Sequence, residues 1–348
     1  MDLQNENWRK EKDKYIGNVY QLGGTRHYSL TSGRSNGCRC TDVKTGSGLE
    51  YTVVCDRGMD ISLASFNGVN LVYLTADAEA NPAFYNPTGN EWLRTFSAGL
   101  LTTCGPSYLG NPCEDQGQLL GLHGRFSGTP ATRVQDLSDY ASGVLQLTGE
   151  IYDGYVFGEK LLVKRAICSR FGESKIVIED TVKNIGGKAA PVTLLYHVNF
   201  GYPFLDEQTL IHIPSANCKP ADAHSAGHME NREHMLSPDG ANIERNYTHT
   251  FDNEETVTAW VWNKRLFDGL AVYLKFSPKD LPFMNQWMLE DHKDYVAAIE
   301  PANVPCMSRD QLRKENLLPQ LAPGEIRRFR LEIGVIQSNA EIEKLINI

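Results

Sequence analysis

The stretch Pro191–Asp206, PVTLLYHVNFGYPFLD, decides the fold. Strand side chains alternate, so Val192, Leu194 and Tyr196 share one face while Thr193, Leu195 and His197 share the other. Both faces are largely apolar, as in a buried strand. The run ends among aromatic and polar residues, with His197 and Asn199 on one face. Tyr202-Pro203 then breaks it, because proline has no N–H to give to a ladder. An imidazole on a rigid strand, opening into an aromatic turn, is well mounted for acid–base chemistry. Taken alone, such a histidine is more often a core residue satisfied by a backbone carbonyl.

Outward from this strand the same rhythm continues. ATRVQDL, GVLQLTGEIYD, EKLLVKRAICSRFG, KIVIEDTVKNIG and QTLIHIPS surround it, joined by turns such as FGESK and KNIGG. No amphipathic crossover helix intervenes. Upstream, EYTVVCDRGMDISLASFNGVNLVYL holds two or three short strands. WLRTFSAGLLTTCG also reads as strand, between loop-like segments at 75–92 and 105–130. Downstream of a polar segment at 214–249, strands resume in ETVTAWVWN, GLAVYLKFS, FMNQWMLE, YVAAIEPAN and EIRRFRLEIGVI. NAEIEKLINI reads as a short terminal helix. Many short, evenly spaced strands predict an all-β fold, a large antiparallel two-sheet β-sandwich with few short helices. No short period repeats and composition does not break. One domain over 19–348 is expected, after a charged lead-in at 1–18.

The chain has 348 residues and a net charge of −9, from 34 basic and 43 acidic side chains. No basic run appears, which argues against nucleic-acid and anionic-membrane partners. The N-terminus lacks the apolar core of a secretory signal, and no apolar run approaches a membrane span. Eight cysteines are scattered, with only Cys38 and Cys40 close together. Free thiols in a reducing cytoplasm are the expectation. The histidines lack HxH or HExxH spacing, and the chain has no P-loop or Rossmann fingerprint, so neither metal nor organic cofactor is expected. A homodimer is compatible with this composition.

Four stretches carry candidate chemistry. The first is His197. In the second, GLHGR, glycines flank His123 and would let a ligand approach the backbone, while Arg125 offers a planar donor fork. An ordinary turn would look the same. In the third, AAIEPAN, Glu300 interrupts an apolar strand end, which raises a carboxyl pKa towards that of a useful general base. An edge carboxylate capped by amides is the blander alternative. In the fourth, Arg94 lies among the apolar residues of WLRTF and either pairs with a carboxylate or faces a cleft. Trp287 could stack on a sugar face or fill the core.

Taken in order, these stretches resemble the aldose 1-epimerase (galactose mutarotase-like) superfamily, and more narrowly its aldose 1-epimerase-like branch, over about residues 50 to 336. The pattern is Arg94 on an early strand, His123 in LHG, His197 after DTVKN, and Glu300 in IEPAN. Departures are visible. YHVNFGYPFL stands in place of N-H-S-Y-F-N-L, and HGRFSGTPA puts Arg125 where the sugar enzymes have glycine. The resemblance implies α/β anomer interconversion of an aldose, or of an acidic sugar derivative if Arg125 holds an anionic group. Glu300 would be general base and protonated His197 general acid. Arg94, His123, Arg125, Asn199, Trp287 and Asn303 form the candidate substrate-binding set. The alternatives are a carbohydrate-binding protein without turnover, or another carbohydrate isomerase using the same pair.

Overall fold

Strands with one apolar face bury it only by stacking, and here two large antiparallel sheets do so. The computed structural model describes residues 10–346 except 12 and 253. One sheet has eight strands, in the order Thr209–His212, Val257–Asn263, Leu270–Phe276, Ile326–Gln337, Lys175–Asn184, Lys160–Arg170, Val144–Gly154 and Thr132–Asp136. The other has six: β1 (Thr102–Cys104), β2 (Leu195–Gly201), β3 (Asn217–Pro220), β4 (Glu244–Thr250), β5 (Phe283–Glu290) and β6 (Tyr295–Ala302). Their spatial order is β3-β4-β5-β6-β2-β1. A five-stranded sheet between Gly24 and Asn70 adjoins this layer through a bridge from Ile61 to Leu101. Of the expected lead-in, residues 1–9 and 12 lie outside the described residues, and Asp13–Tyr15 forms a single 3-10 turn.

Alternation then sorts each strand. Tyr196, Val198 and Phe200 of β2, Met284 and Met288 of β5, and Ile299 of β6 point between the sheets. They meet Val257, Ala259, Val272, Leu274, Leu331 and Ile333 of the eight-stranded sheet in one continuous core. Each such side chain, once fully buried, contributes about 1.5–3 kcal/mol. The reverse face of β2 and β6 is covered by a second apolar cluster that includes Trp92, Phe96 and Leu122.

Three α-helices occur among the described residues: α1 (Ala223–Gly227), α2 (Arg309–Lys314) and α3 (Asn339–Ile346). The last is the terminal helix read from the sequence, and its Ile342 and Ile346 cover Trp260 and Trp262. No helix among the described residues is long and apolar enough to cross a membrane. All eight cysteines are free thiols.

WLRTF departs from expectation. Glu91–Thr95 is a 3-10 helix, and only Thr102–Cys104 of the longer run is strand. Trp92 and Thr95 are buried, so the intervening Leu93 and Arg94 turn outward. At this length, burial on one side of a helical turn and alternation in a strand leave similar patterns.

Candidate active site

Register builds the centre of the site. β2 pairs with β6 through Leu195–Ala302 and Val198–Ile299, which sets His197 opposite Glu300. β5 continues the rank by placing Asn285 opposite Glu300. The His197 Nε2 lies 3.3 Å from the Glu300 Oε1. Asn285 donates from Nδ2 to the Glu300 Oε2 at 3.0 Å, fixing the carboxyl plane. Both members of the pair are almost wholly buried, at 7% and 1% side-chain exposure.

Aromatic rings enclose the imidazole. The Phe96 and Trp287 rings lie 5.3 and 5.5 Å from that of His197, and the His123 ring 6.1 Å. Trp287 stands opposite Ala298, which stands opposite Asn199 on β2. A residue with no side chain beyond Cβ thus lets the indole reach across β6. Trp92 stacks on Phe96 and meets His123 edge-on at 4.9 Å. His123 reaches the site because its turn is tightly held. The His123 N–H donates to the Gly110 carbonyl, and the Gly105 N–H donates to the His123 carbonyl. Gly124 follows with φ of 81°, where a Cβ would lie 2.4 Å from the Tyr108 carbonyl oxygen, so glycine is required.

Burial sets the protonation states. It pushes the Glu300 carboxyl up to about 8, against the opposing hydrogen bond from Asn285. It pushes His197 down to about 3, with help from nearby His123. Burial likewise lowers His123 to about 4. Burial thus favours the neutral form of each side chain in the unliganded site. An ion pair in that apolar cage lacks the further donors needed to offset its desolvation.

Seven buried side-chain polar atoms among the described residues lack a hydrogen-bond partner, and four belong to this site: His123 Nδ1, His197 Nδ1, Asn199 Oδ1 and Glu300 Oε1. Each unsatisfied buried group costs about 1–3 kcal/mol, so their concentration here marks a place built for something other than stability. Among the described residues no three His, Cys, Asp or Glu side chains converge as metal ligands.

His197, Glu300, His123, Asn199 and Trp287 thus come together. Three other candidates do not. Arg94 projects outward with its side chain 74% exposed and pairs with Glu91 at 3.0 Å, the blander of its two readings. Arg125 lines a separate cavity of about 280 Å³ with Ser107, Tyr108, Asp153 and Tyr155. The left-handed backbone at His123 and Gly124 sends residues 123 and 125 in different directions. Asn303 is a brace: it accepts from the Leu194 N–H at 2.6 Å and donates to the Val192 carbonyl, pinning the approach to β2. Asn285, Phe96 and Trp92 were not singled out from the sequence. The alternation of FMNQWMLE places Asn285 and Trp287 on one face, a signal that could have flagged Asn285. Phe96 and Trp92 reach the site through loop geometry alone. Arg94→Ala is expected to leave unfolding stability within about 0.5 kcal/mol of wild type, as for other exposed pairs, and to leave ligand binding at His197 and Glu300 unchanged. Urea titration and a binding titration check this.

A family model described as a domain of unknown function, DUF4432, matches residues 35–335. The chain belongs to the DUF4432 family. No curated protein matches this DUF4432 chain in sequence. Among solved structures it is similar to a provisionally assigned aldose 1-epimerase from Klebsiella pneumoniae. That match has a TM-score of 0.88 at 21% identity, covering 97% of this chain and 89% of the other. A galactose mutarotase-like protein from Clostridium acetobutylicum matches with a TM-score of 0.61 at 13% identity, covering 91% and 99% of the two chains. A galactose 1-epimerase from Lactobacillus acidophilus matches with a TM-score of 0.60 at 10% identity, covering 91% and 100%. The DUF4432 fold here is the galactose mutarotase-like sandwich.

Proposed function

We propose that this chain interconverts the α- and β-anomers of a free aldose. The observation that carries this reading is the His197–Glu300 pair, 3.3 Å apart, with four unpartnered buried polar atoms on the pair and its neighbours His123 and Asn199. The likeness in fold to a galactose 1-epimerase supports the reaction class.

The chemistry needs one acid and one base. In the proposed cycle, neutral His197 takes the proton from the anomeric hydroxyl as the C1–O1 bond becomes a carbonyl. The bond from C1 to the ring oxygen breaks, and Glu300 gives its proton to that oxygen. The open-chain aldehyde is then held beside a Glu300 carboxylate and a His197 imidazolium, whose attraction in the dry cage offsets their desolvation. Rotation about C1–C2 and reversal of both transfers close the ring with the other configuration. Each positioned acid or base contributes about 10²–10⁴-fold. His123 Nδ1 and the Asn199 carboxamide supply polar contacts for ring hydroxyls, and Trp287 supplies an apolar platform. Arg125 lines another cavity, so the proposed substrate needs no anionic group.

Exchange NMR on a panel of free aldoses tests the reading. Wild type is expected to accelerate anomeric exchange of at least one sugar, and His197→Gln to lose at least 10²-fold of that acceleration. Solvent deuterium should not enter any carbon position. Uptake at C2 would instead indicate enediol chemistry. Binding without acceleration would indicate a carbohydrate-binding protein.

A further inference from the structure

The rank that holds the acid–base pair continues beyond it. Glu300 stands opposite Asn285, Asn285 opposite Thr248, and Thr248 opposite Lys219. These side chains share the face turned away from the core. Along that face the layer changes character. His197 and Glu300 are buried, Asn285 and Thr248 are half-buried, and Lys219 on the edge strand β3 is exposed. Over β1, β2 and β6 the face is closed by the cluster containing Trp92, Phe96 and Leu122. The site is therefore blind at one end and open at the other. Three inter-strand steps separate Glu300 from Lys219, about 14 Å at ~4.8 Å per step, more than a single pyranose ring spans.

The open face is also unusual in its chemistry. Between the pair and the rim it carries Asn246, Thr248, Thr250 and Asn285, all half-buried, with Trp287 and Phe283 beside them, and the exposed Glu244 at the start of β4 accepts from the Asn246 Nδ2 at 3.1 Å. Elsewhere the outward face is charged: Lys183, Arg328, Arg330 and Glu332 stand on Lys175–Asn184 and Ile326–Gln337 of the eight-stranded sheet. Plain solvation of a sheet face favours such long charged side chains. A patch of short amides and hydroxyls with two aromatic rings, bordered by the Glu244 carboxylate and without a cation before the rim at Lys219, suits a neutral polyhydroxylated ligand better than an anionic one, since such a ligand offers hydroxyls along its edge and C–H groups on its face.

We propose that the substrate is a neutral saccharide of at least two rings with a free reducing end. Its reducing ring sits at His197 and Glu300, and its next ring lies across Asn285, Thr248 and Asn246 towards Lys219. This inference rests on the anomerisation reading: the reacting carbon lies at the reducing terminus, so the blind end takes that ring and the remainder leaves by the open side.

The test compares disaccharides with the monosaccharide of their own reducing end in the exchange NMR assay. Lactose, cellobiose and maltose are set against glucose, xylobiose against xylose, and diacetylchitobiose against N-acetylglucosamine. At least one disaccharide is expected to exceed its monosaccharide in kcat/KM by tenfold or more. Thr248→Trp, which fills the open face, is expected to lower that ratio at least tenfold. Asn246→Ala, a milder change at a half-buried position, should raise the disaccharide KM about threefold relative to the monosaccharide KM. Disaccharides no better than their monosaccharides, or a ratio unmoved in both variants, would overturn this inference while leaving anomerisation in place. No acceleration with any sugar, single or double, would overturn both.

Discussion

Glu300→Gln is expected to abolish anomeric exchange and, at the same time, to make the protein more stable in alkaline solution. The two effects have one cause. Glu300 is buried with a single hydrogen bond, from Asn285, and its carboxyl is pushed up from 4.5 to about 8. A group whose folded pKa exceeds its unfolded value stabilises the protein fully below the unfolded pKa. That contribution is lost as pH rises through the folded pKa, because the native state must release a proton it holds more tightly. Wild type should therefore lose stability between about pH 4.5 and pH 8 from this residue, by about 1.4 kcal/mol per unit of pKa difference and several kcal/mol in all. Glutamine keeps an oxygen for Asn285 and carries no proton to lose. Urea unfolding at pH 4.5 and pH 8 should show variant and wild type alike at the lower pH and the variant ahead at the higher. Parallel pH dependence of the two would contradict the assignment of the resting proton to Glu300. For catalysis, loss of the carboxyl 3.3 Å from His197 should cost at least 10²-fold. A gain in stability paired with loss of turnover is the usual signature of a residue retained for chemistry.

Arg165→Met is expected to destabilise the protein by about 3–5 kcal/mol, the usual cost of leaving buried charges without their partner. Arg165 has no solvent exposure in its side chain and joins the two sheets behind the site. It donates to Asp60 Oδ1 at 2.8 Å, to both oxygens of Asp180 at 2.7 and 2.9 Å, and to the Thr103 hydroxyl at 2.9 Å. Its guanidinium lies over the Phe126 ring at 4.6 Å. Tyr196, the neighbour of His197, donates to Asp180 Oδ2 at 2.8 Å. The network thus fixes β1 and β2 against the eight-stranded sheet beneath His197 and Glu300. Methionine fills much of the volume but leaves two carboxylates facing each other in a dry interior. Adding Asp60→Asn and Asp180→Asn to Arg165→Met should recover part of the loss, since the uncompensated charge goes with them. A single variant as stable as wild type in urea would show that the charges escape to solvent by a path absent from this structure.

The all-β sandwich and the core pair were legible because both depend on local pattern. Alternation with a period of two, broken by Gly, Pro and Asn turns, specifies a strand and its buried face wherever one face meets a core. PVTLLYHVNF and YVAAIEPAN read correctly for that reason, and so His197 and Glu300 could be assigned to strands before their proximity was known. What the chain's pattern could not supply was register and loop path. Which strand lies beside which is decided by packing among residues far apart in sequence. The pairing of β2 with β6, which makes His197 and Glu300 neighbours, and of β5 with β6, which hands Asn285 to Glu300, exists only in the folded sheet. Arg94 and Arg125 were misplaced because guanidinium chemistry is the same facing a cleft or facing water. Only the 3-10 turn at Glu91–Thr95 and the left-handed backbone at His123 and Gly124 settle which way each points. The upward direction of the Glu300 pKa was readable from its apolar strand end, but its size was not, since that is set by how many neighbours exclude water, and that number belongs to the tertiary structure.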